Sequence, residues 1–103
     1  MTKMIAINSP RFKPGQVVAS PGALEAMART NQSVWEFLSR HLAADWGVVD
    51  DDDKALNDEA LEDGSRLLSA YLLSDDTKIW IITEAEDDSG DRLATTILLP
   101  DEY

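Results

Sequence analysis

The chain has 103 residues, enough for one domain. It carries 20 acidic residues, 9 basic residues and one histidine, for a net charge of −11, and it has no cysteine. Disulfides, thiolate metal sites and cysteine nucleophiles are therefore excluded. Direct binding to a nucleic-acid backbone is not expected, and a hydrophobic content of 44 % argues for a folded chain.

The first fourteen residues read as a basic, mobile arm. Pro10 and Pro14 flank Arg11-Phe12-Lys13 and disfavour helix before them. The apolar stretch at Met4–Ile7 is too short for a secretory signal, so a cytoplasmic protein is expected. No apolar run approaches the length that spans a bilayer, and no membrane association is expected. Gln16–Ala19 is β-prone and reads as a short extra strand.

Ser20-Pro21 then combines an N-cap with proline at the first helical position, predicting a helix over 21–29 that Asn31 closes. Ser33-Val34-Trp35-Glu36 is a capping box that opens a second helix over 34–44. Its stripe is read as Val34, Trp35, Leu38, His41 and Leu42, and Asp45-Trp46-Gly47 stops it. Asp50 to Glu62 predicts a third helix over 51–62. Its aspartates favour the positive end of the helix dipole, Leu56, Ala60 and Leu61 form a thin apolar stripe, and Gly64 ends it.

From Arg66 the hydrophobic period changes to two. Runs over 66–74, 78–84 and 92–99 predict a three-stranded antiparallel meander, with a tight connection at Asp75-Asp76-Thr77 and a longer acidic loop at Ala85–Asp91. One strand face carries Leu67, Tyr71 and Leu73, and the other Leu68, Ala70 and Leu72. The fold class is therefore α+β, with N-terminal helices packed on a C-terminal sheet.

The charge is directional. Residues 1–45 sum to +2 and residues 46–103 to −13, and the segments 50–63 and 84–91 hold 13 of the 20 carboxylates. Asp50, Asp51, Asp52, Asp53, Asp58, Glu59, Glu62, Asp63, Glu86, Asp87 and Asp88 are the candidate binding residues, expected to face a basic protein surface. Trp80, on the opposite strand face from Ile79 and Ile81, is the candidate aromatic anchor among the three tryptophans. The run Asp50–Asp53 does not read as a cation site. Successive helical residues diverge by about 100°, and an EF-hand loop opened at Asp51 would find Ala55 and Leu56 where an oxygen ligand and a glycine belong.

Catalytic signatures are sparse. The five glycines are isolated, and GxSxG, HExxH and paired histidines are lacking. His41 is the one side chain whose ordinary titration falls near neutrality. A ribonuclease built on it would need partners, for which Tyr71 and Arg92 are the candidates. No cofactor or metal is expected.

The stretches Gly15–Ala26, Asp45-Trp46-Gly47, Asp53-Lys54, Asn57, Ala60-Leu61, Gly64–Tyr71, Lys78–Glu84 and Thr95–Pro100 follow one another as in a known group. In these the chain resembles a family of small bacterial plasmid-related or mobile-element proteins, sometimes loosely labelled restriction-system subunits. The resemblance carries over no catalytic residues, and the chain has no methyltransferase cofactor motif to match that label. The loop 85–91 is longer and more acidic here than the short charged turn of the family. The charge asymmetry points to a non-enzymatic interaction module, in one form with carboxylates mimicking nucleic acid, and the mobile-element resemblance implies an anti-defence or regulatory role for it. The alternatives are a small toxin-type ribonuclease and an antitoxin or dimeric scaffold, the latter a homodimer in which the arm of one chain reaches the acidic half of another.

Overall fold

A computed structural model describes residues 10–103. The elements run β1 (Gln16–Ala19), α1 (Pro21–Arg29), α2 (Val34–Leu42), α3 (Asp51–Asp63), β2 (Leu67–Leu72), β3 (Lys78–Thr83), β4 (Ala94–Leu98) and a 3-10 turn (Pro100–Glu102). The class is α+β, helices before meander.

The four strands form one sheet in the order β1-β4-β3-β2. The antiparallel pairs β2–β3 and β3–β4 make the expected meander. The extra strand at 16–19 also forms, but it lies parallel to β4, with Gln16 opposite Ala94 and Ala19 opposite Ile97, so the sheet is mixed and not wholly antiparallel. The three helices return the chain so that β2 runs in the same sense as β1, and the two antiparallel reversals through β3 leave β4 running that way beside β1.

Caps set the helix boundaries. Ser20 accepts from Ala23 N, Ser33 from Glu36 N and Asp50 from Asp53 N. Gly64, at φ 81°, takes the left-handed position that ends α3. The second helix stops at Leu42, earlier than the expected residue 44. Ala44 sits at φ 65°, and Asp45 N returns to Arg40 O.

The core lies between α1, α2 and one sheet face. Ala23, Ala26, Met27 and Phe37 meet Tyr71, Leu73, Ile79, Ile81 and Ile97. The stripe of α2 differs from the expected one. Phe37 is buried and Trp35 is 55 % exposed, so the inward face is Val34, Phe37, Leu38, His41 and Leu42. On α3, Asn57 and Ala60 are the buried pair, and Leu56 points outward. A second, smaller cluster forms from Trp46, Ala60 and Leu67, with Phe12 and Leu61 against it. Gly47 lets the chain cross β2 here. It has φ 76°, and a Cβ would fall 1.9 Å from Ala70 O.

Of the basic arm, residues 10–14 are described, and there it is held. Arg11 N donates to Leu42 O, Thr95 Oγ1 donates to Pro14 O, and the Phe12 ring packs edge-on to His41. The remaining positions, 1–9, lie outside the described residues. The other end of the described chain is pinned too. The Glu102 carboxylate accepts from Ser20 Oγ, Gly22 N and Leu99 N, so the last turn is tied to the start of α1. Among the described residues, no helix is long and apolar enough to cross a membrane.

Candidate functional site: an acidic face stitched by Arg92

The two acidic segments are 20 residues apart in sequence and adjacent in space. Glu86 N donates to Gly64 O at 2.8 Å, joining the loop to the end of α3. Arg92 completes the junction from inside. Its Nη1 donates to Ser65 O at 2.7 Å and to Glu84 O at 3.0 Å, and its Nη2 donates to Ala60 O at 3.0 Å. The side chain is 4 % exposed and lies 3.9 Å from Glu86 Oε2. The last turn of α3 contains no basic residue, and Glu62 and Asp63 are unfavourable at a negative helix end. The guanidinium supplies the missing positive charge and adds a second hydrogen bond to Ala60 O, which also accepts from Gly64 N.

The candidate carboxylates divide into those with local work and those facing water. Asp50 caps α3, Asp58 accepts from Trp46 Nε1 at 3.0 Å, and Asp63 accepts from Ser65 N. Asp87 accepts from Ser89 N and Asp91 N and so shapes the loop. Asp51, Asp52, Asp53, Glu59, Glu62 and Asp88 are exposed, and no described residue donates a hydrogen bond to their carboxylates. Within these two segments Lys54 is the sole cation. The face is therefore predominantly negative toward solvent, with Lys54 within it, while the Arg92 guanidinium is turned inward. Among the described residues, no three His, Asp or Glu side chains are placed to hold a metal ion.

Trp80 lies on the opposite side of the sheet from the helices. It is half-buried against the Tyr103 ring, whose centroid is 5.7 Å away and whose hydroxyl accepts from Arg66. It is therefore partly open to solvent. The tryptophan that stands in solvent is Trp35.

The ribonuclease candidates are all interior: His41 is 0 %, Tyr71 1 % and Arg92 7 % exposed. Tyr71 donates to Asp45 O at 2.6 Å, and burial pushes its phenol well above the ordinary value. His41 sits in a sealed chain of hydrogen bonds. Its Nδ1 is 2.5 Å from Ser69 Oγ and its Nε2 2.8 Å from Thr83 Oγ1, which is 2.7 Å from Thr95 Oγ1. Thr95 spends its proton on Pro14 O, a pure acceptor. Thr83 must then donate to Thr95 and accept from His41 Nε2–H, and Nδ1 accepts from Ser69. The directions at Thr83 and Nε2 follow from that one carbonyl, and the acceptor role of Nδ1 follows from the neutral ring that burial favours. Desolvation, with the charge of Arg92 second, lowers its pKa to about 3. A base that neither meets solvent nor accepts a proton near neutrality holds the core together; it does not perform proton transfer to a substrate.

Arg92 was readable from the sequence only as a cation at a strand start. A signal was nonetheless present. A helix that ends in Glu-Asp-Gly without a cation needs one from elsewhere. Comparison with known proteins finds no matching family model, no matching curated protein and no matching solved structure.

Proposed function

We propose that the protein is a non-enzymatic interaction module whose acidic face, formed by α3 and the 84–91 loop, engages a basic protein surface. The observation that carries this reading is the Arg92 junction. A buried arginine is expensive to desolvate, and here it fixes two acidic segments side by side with most of their carboxylates outward. Acidity that served only solubility would need no such alignment. A focused negative field steers a basic partner and sets its register. The resemblance to mobile-element proteins supports an anti-defence or regulatory role. In that form the partner is a nucleic-acid-binding protein, and the carboxylates occupy the places of phosphates.

The test is affinity capture from host extract with the full chain and with a variant carrying Asp51→Asn, Asp52→Asn, Asp53→Asn, Glu59→Gln and Glu62→Gln. These five changes leave the cap at Asp50 and the Trp46–Asp58 bond in place. The expected result is a captured protein with a basic face, released by about 0.5 M salt, where screening shortens to a few Å, and not captured by the variant. Identical capture by both proteins at both salt concentrations would overturn the reading.

A further inference from the structure

We propose that the sheet face turned away from the helices is a dimer interface, on which a second copy of this chain docks about a two-fold axis that crosses the strands.

Ile79, Ile81 and Ile97 fill the core under α1 and α2, so the residues that alternate with them stand on the far face of the sheet. Along β3 these are Lys78, Trp80 and Ile82, and Glu84 continues the row, its N–H on Ala94 O. The register adds Leu72, Leu98 and Val18 from the neighbouring strands. Leu72 and Val18 are exposed and Trp80 is half-buried. A sheet that leaves one face to solvent ordinarily makes that face polar, whereas this one is apolar along its middle, the mark of an interaction surface.

The two ends of the face carry opposite charge. Lys78 stands at one end of β3 and Glu84 at the other, both exposed, and six residues of strand set them about 20 Å apart. A two-fold axis across the strands lays β3 of one copy antiparallel over β3 of the other. Lys78 then meets Glu84 of the second copy, and the same pair repeats at the other end. An axis along the strands would set like end against like end.

The relief fits the same axis. A cavity of about 250 Å³ is lined by Ile82, Thr96 and Leu98 of the sheet together with Arg66, Glu84 and Tyr103. Leu98 is the ladder partner of Trp80, and the Tyr103 ring packs edge-on against the indole, so indole and hollow lie side by side. Arg66 Nη1 donates to the Tyr103 hydroxyl at 2.6 Å and fixes that wall. A knob beside a hollow is self-complementary across a two-fold, since each Trp80 enters the hollow of the other copy.

Charge favours a second copy over a basic protein. The segments 50–63 and 84–91 hold 13 of the 20 carboxylates and draw basic partners to themselves. The sheet face carries Arg66 and Lys78 beside Glu84, so two chains of charge −11 oppose each other least across it. Four strands six residues long outline a face of about 20 by 20 Å. That is the small end of specific interfaces, which sets the dissociation constant on the order of 10–100 μM.

The test is sedimentation equilibrium of the full chain from about 1 μM to about 1 mM, at about 0.05 and 0.5 M salt. A reversible monomer–dimer equilibrium is expected, no weaker at high salt, because screening relieves the net repulsion. Lys78→Glu and Glu84→Lys should each weaken the dimer at least about tenfold, and the two together should restore it. Trp80→Ala should weaken it by a similar factor; the charge variants, both at exposed positions, decide the matter should that chain fail to fold. A chain that stays monomeric at about 1 mM overturns the proposal and leaves the face to a different protein. A dimer that weakens with salt and ignores the charge exchange overturns it in favour of the basic arm meeting the acidic half. A double variant that stays monomeric overturns the crossed two-fold. The interface does not depend on the acidic-face reading, because these variants keep Asp51, Asp52, Asp53, Glu59 and Glu62, and partner capture should persist.

Discussion

The side-chain amide of Asn57 behaves toward Leu68 as a neighbouring strand would. Asn57 Nδ2 donates to Leu68 O at 2.7 Å, and Leu68 N donates to Asn57 Oδ1 at 3.1 Å. Together with Val48 N on Ala70 O and Ala70 N on Trp46 O, it closes the outer edge of β2 without a fifth strand. Asn57→Leu leaves both Leu68 groups without their partner and should cost about 2 kcal/mol in urea unfolding. Asn57→Asp retains the acceptor and loses the donor. Hydrogen exchange separates the two variants: the Leu68 amide should exchange quickly in Asn57→Leu and stay protected in Asn57→Asp.

Arg92 should tolerate no conservative exchange. A lysine keeps the charge but presents one compact ammonium and cannot span Ala60 O, Ser65 O and Glu84 O together. Arg92→Met should lose about 3 kcal/mol and Arg92→Lys a large part of that. In both, amide protection should fall first at the end of α3 and in the 84–91 loop. Loss spread evenly over the sheet would contradict the role of Arg92 as the local tie between them.

The sealed imidazole makes stability depend on pH in a defined window. The folded ring holds its proton only below about pH 3, whereas the unfolded one titrates at 6.5. Between these values the unfolded chain binds the extra proton, so stability is full above 6.5 and falls as the pH drops. From pH 7 to pH 5 the loss should be about 2 kcal/mol. Carboxylates with lowered pKa values, such as Asp45 beside Arg40, act in the same direction but only at lower pH. Denaturation of wild type and His41→Gln at both pH values checks this. The variant should be less stable at pH 7 and show little slope.

Fluorescence should report Trp35 as the solvent-facing tryptophan. It is 55 % exposed, Trp46 is 4 % exposed, and Trp80 is shielded by Tyr103. Trp35→Phe should remove most of the acrylamide-quenchable emission and change stability by less than about 0.5 kcal/mol. Quenching that disappears instead with Trp80→Phe would contradict this placement.

Local signals were legible wherever the physics is local. The Ser20-Pro21 start, the Ser33 cap and the Gly64 stop each depend on neighbours within a turn, and each stands where the residues indicated; of the capping box only the Ser33 half forms, the Glu36 carboxylate accepting instead from Gln32 Nε2. Phe37 was legible, since it completes the i, i+3, i+4, i+7, i+8 stripe that starts at Val34, while Trp35, two residues away, points about 200° from it. What depended on distant chain was not legible. Periodicity cannot show that β1 pairs with β4, because that register is made across the whole helical layer. The acidic segments could be identified but not placed, since their meeting rests on Arg92 reaching three carbonyls from three parts of the chain.

The parallel seam between β1 and β4 also sets a timetable. As the chain leaves the ribosome, β1 and all three helices are made before any strand that can cover them. The hairpin β2–β3 can form at once from near neighbours, but β1 must wait for β4. During that interval Phe37, Met27 and Ala23 have only the hairpin's Tyr71, Leu73, Ile79 and Ile81 to meet, without Ile97 of β4. The nascent chain is thus most open to capture by chaperones, or to aggregation, just before its last strand emerges. The strong negative charge laid down in α3 by then keeps such chains apart.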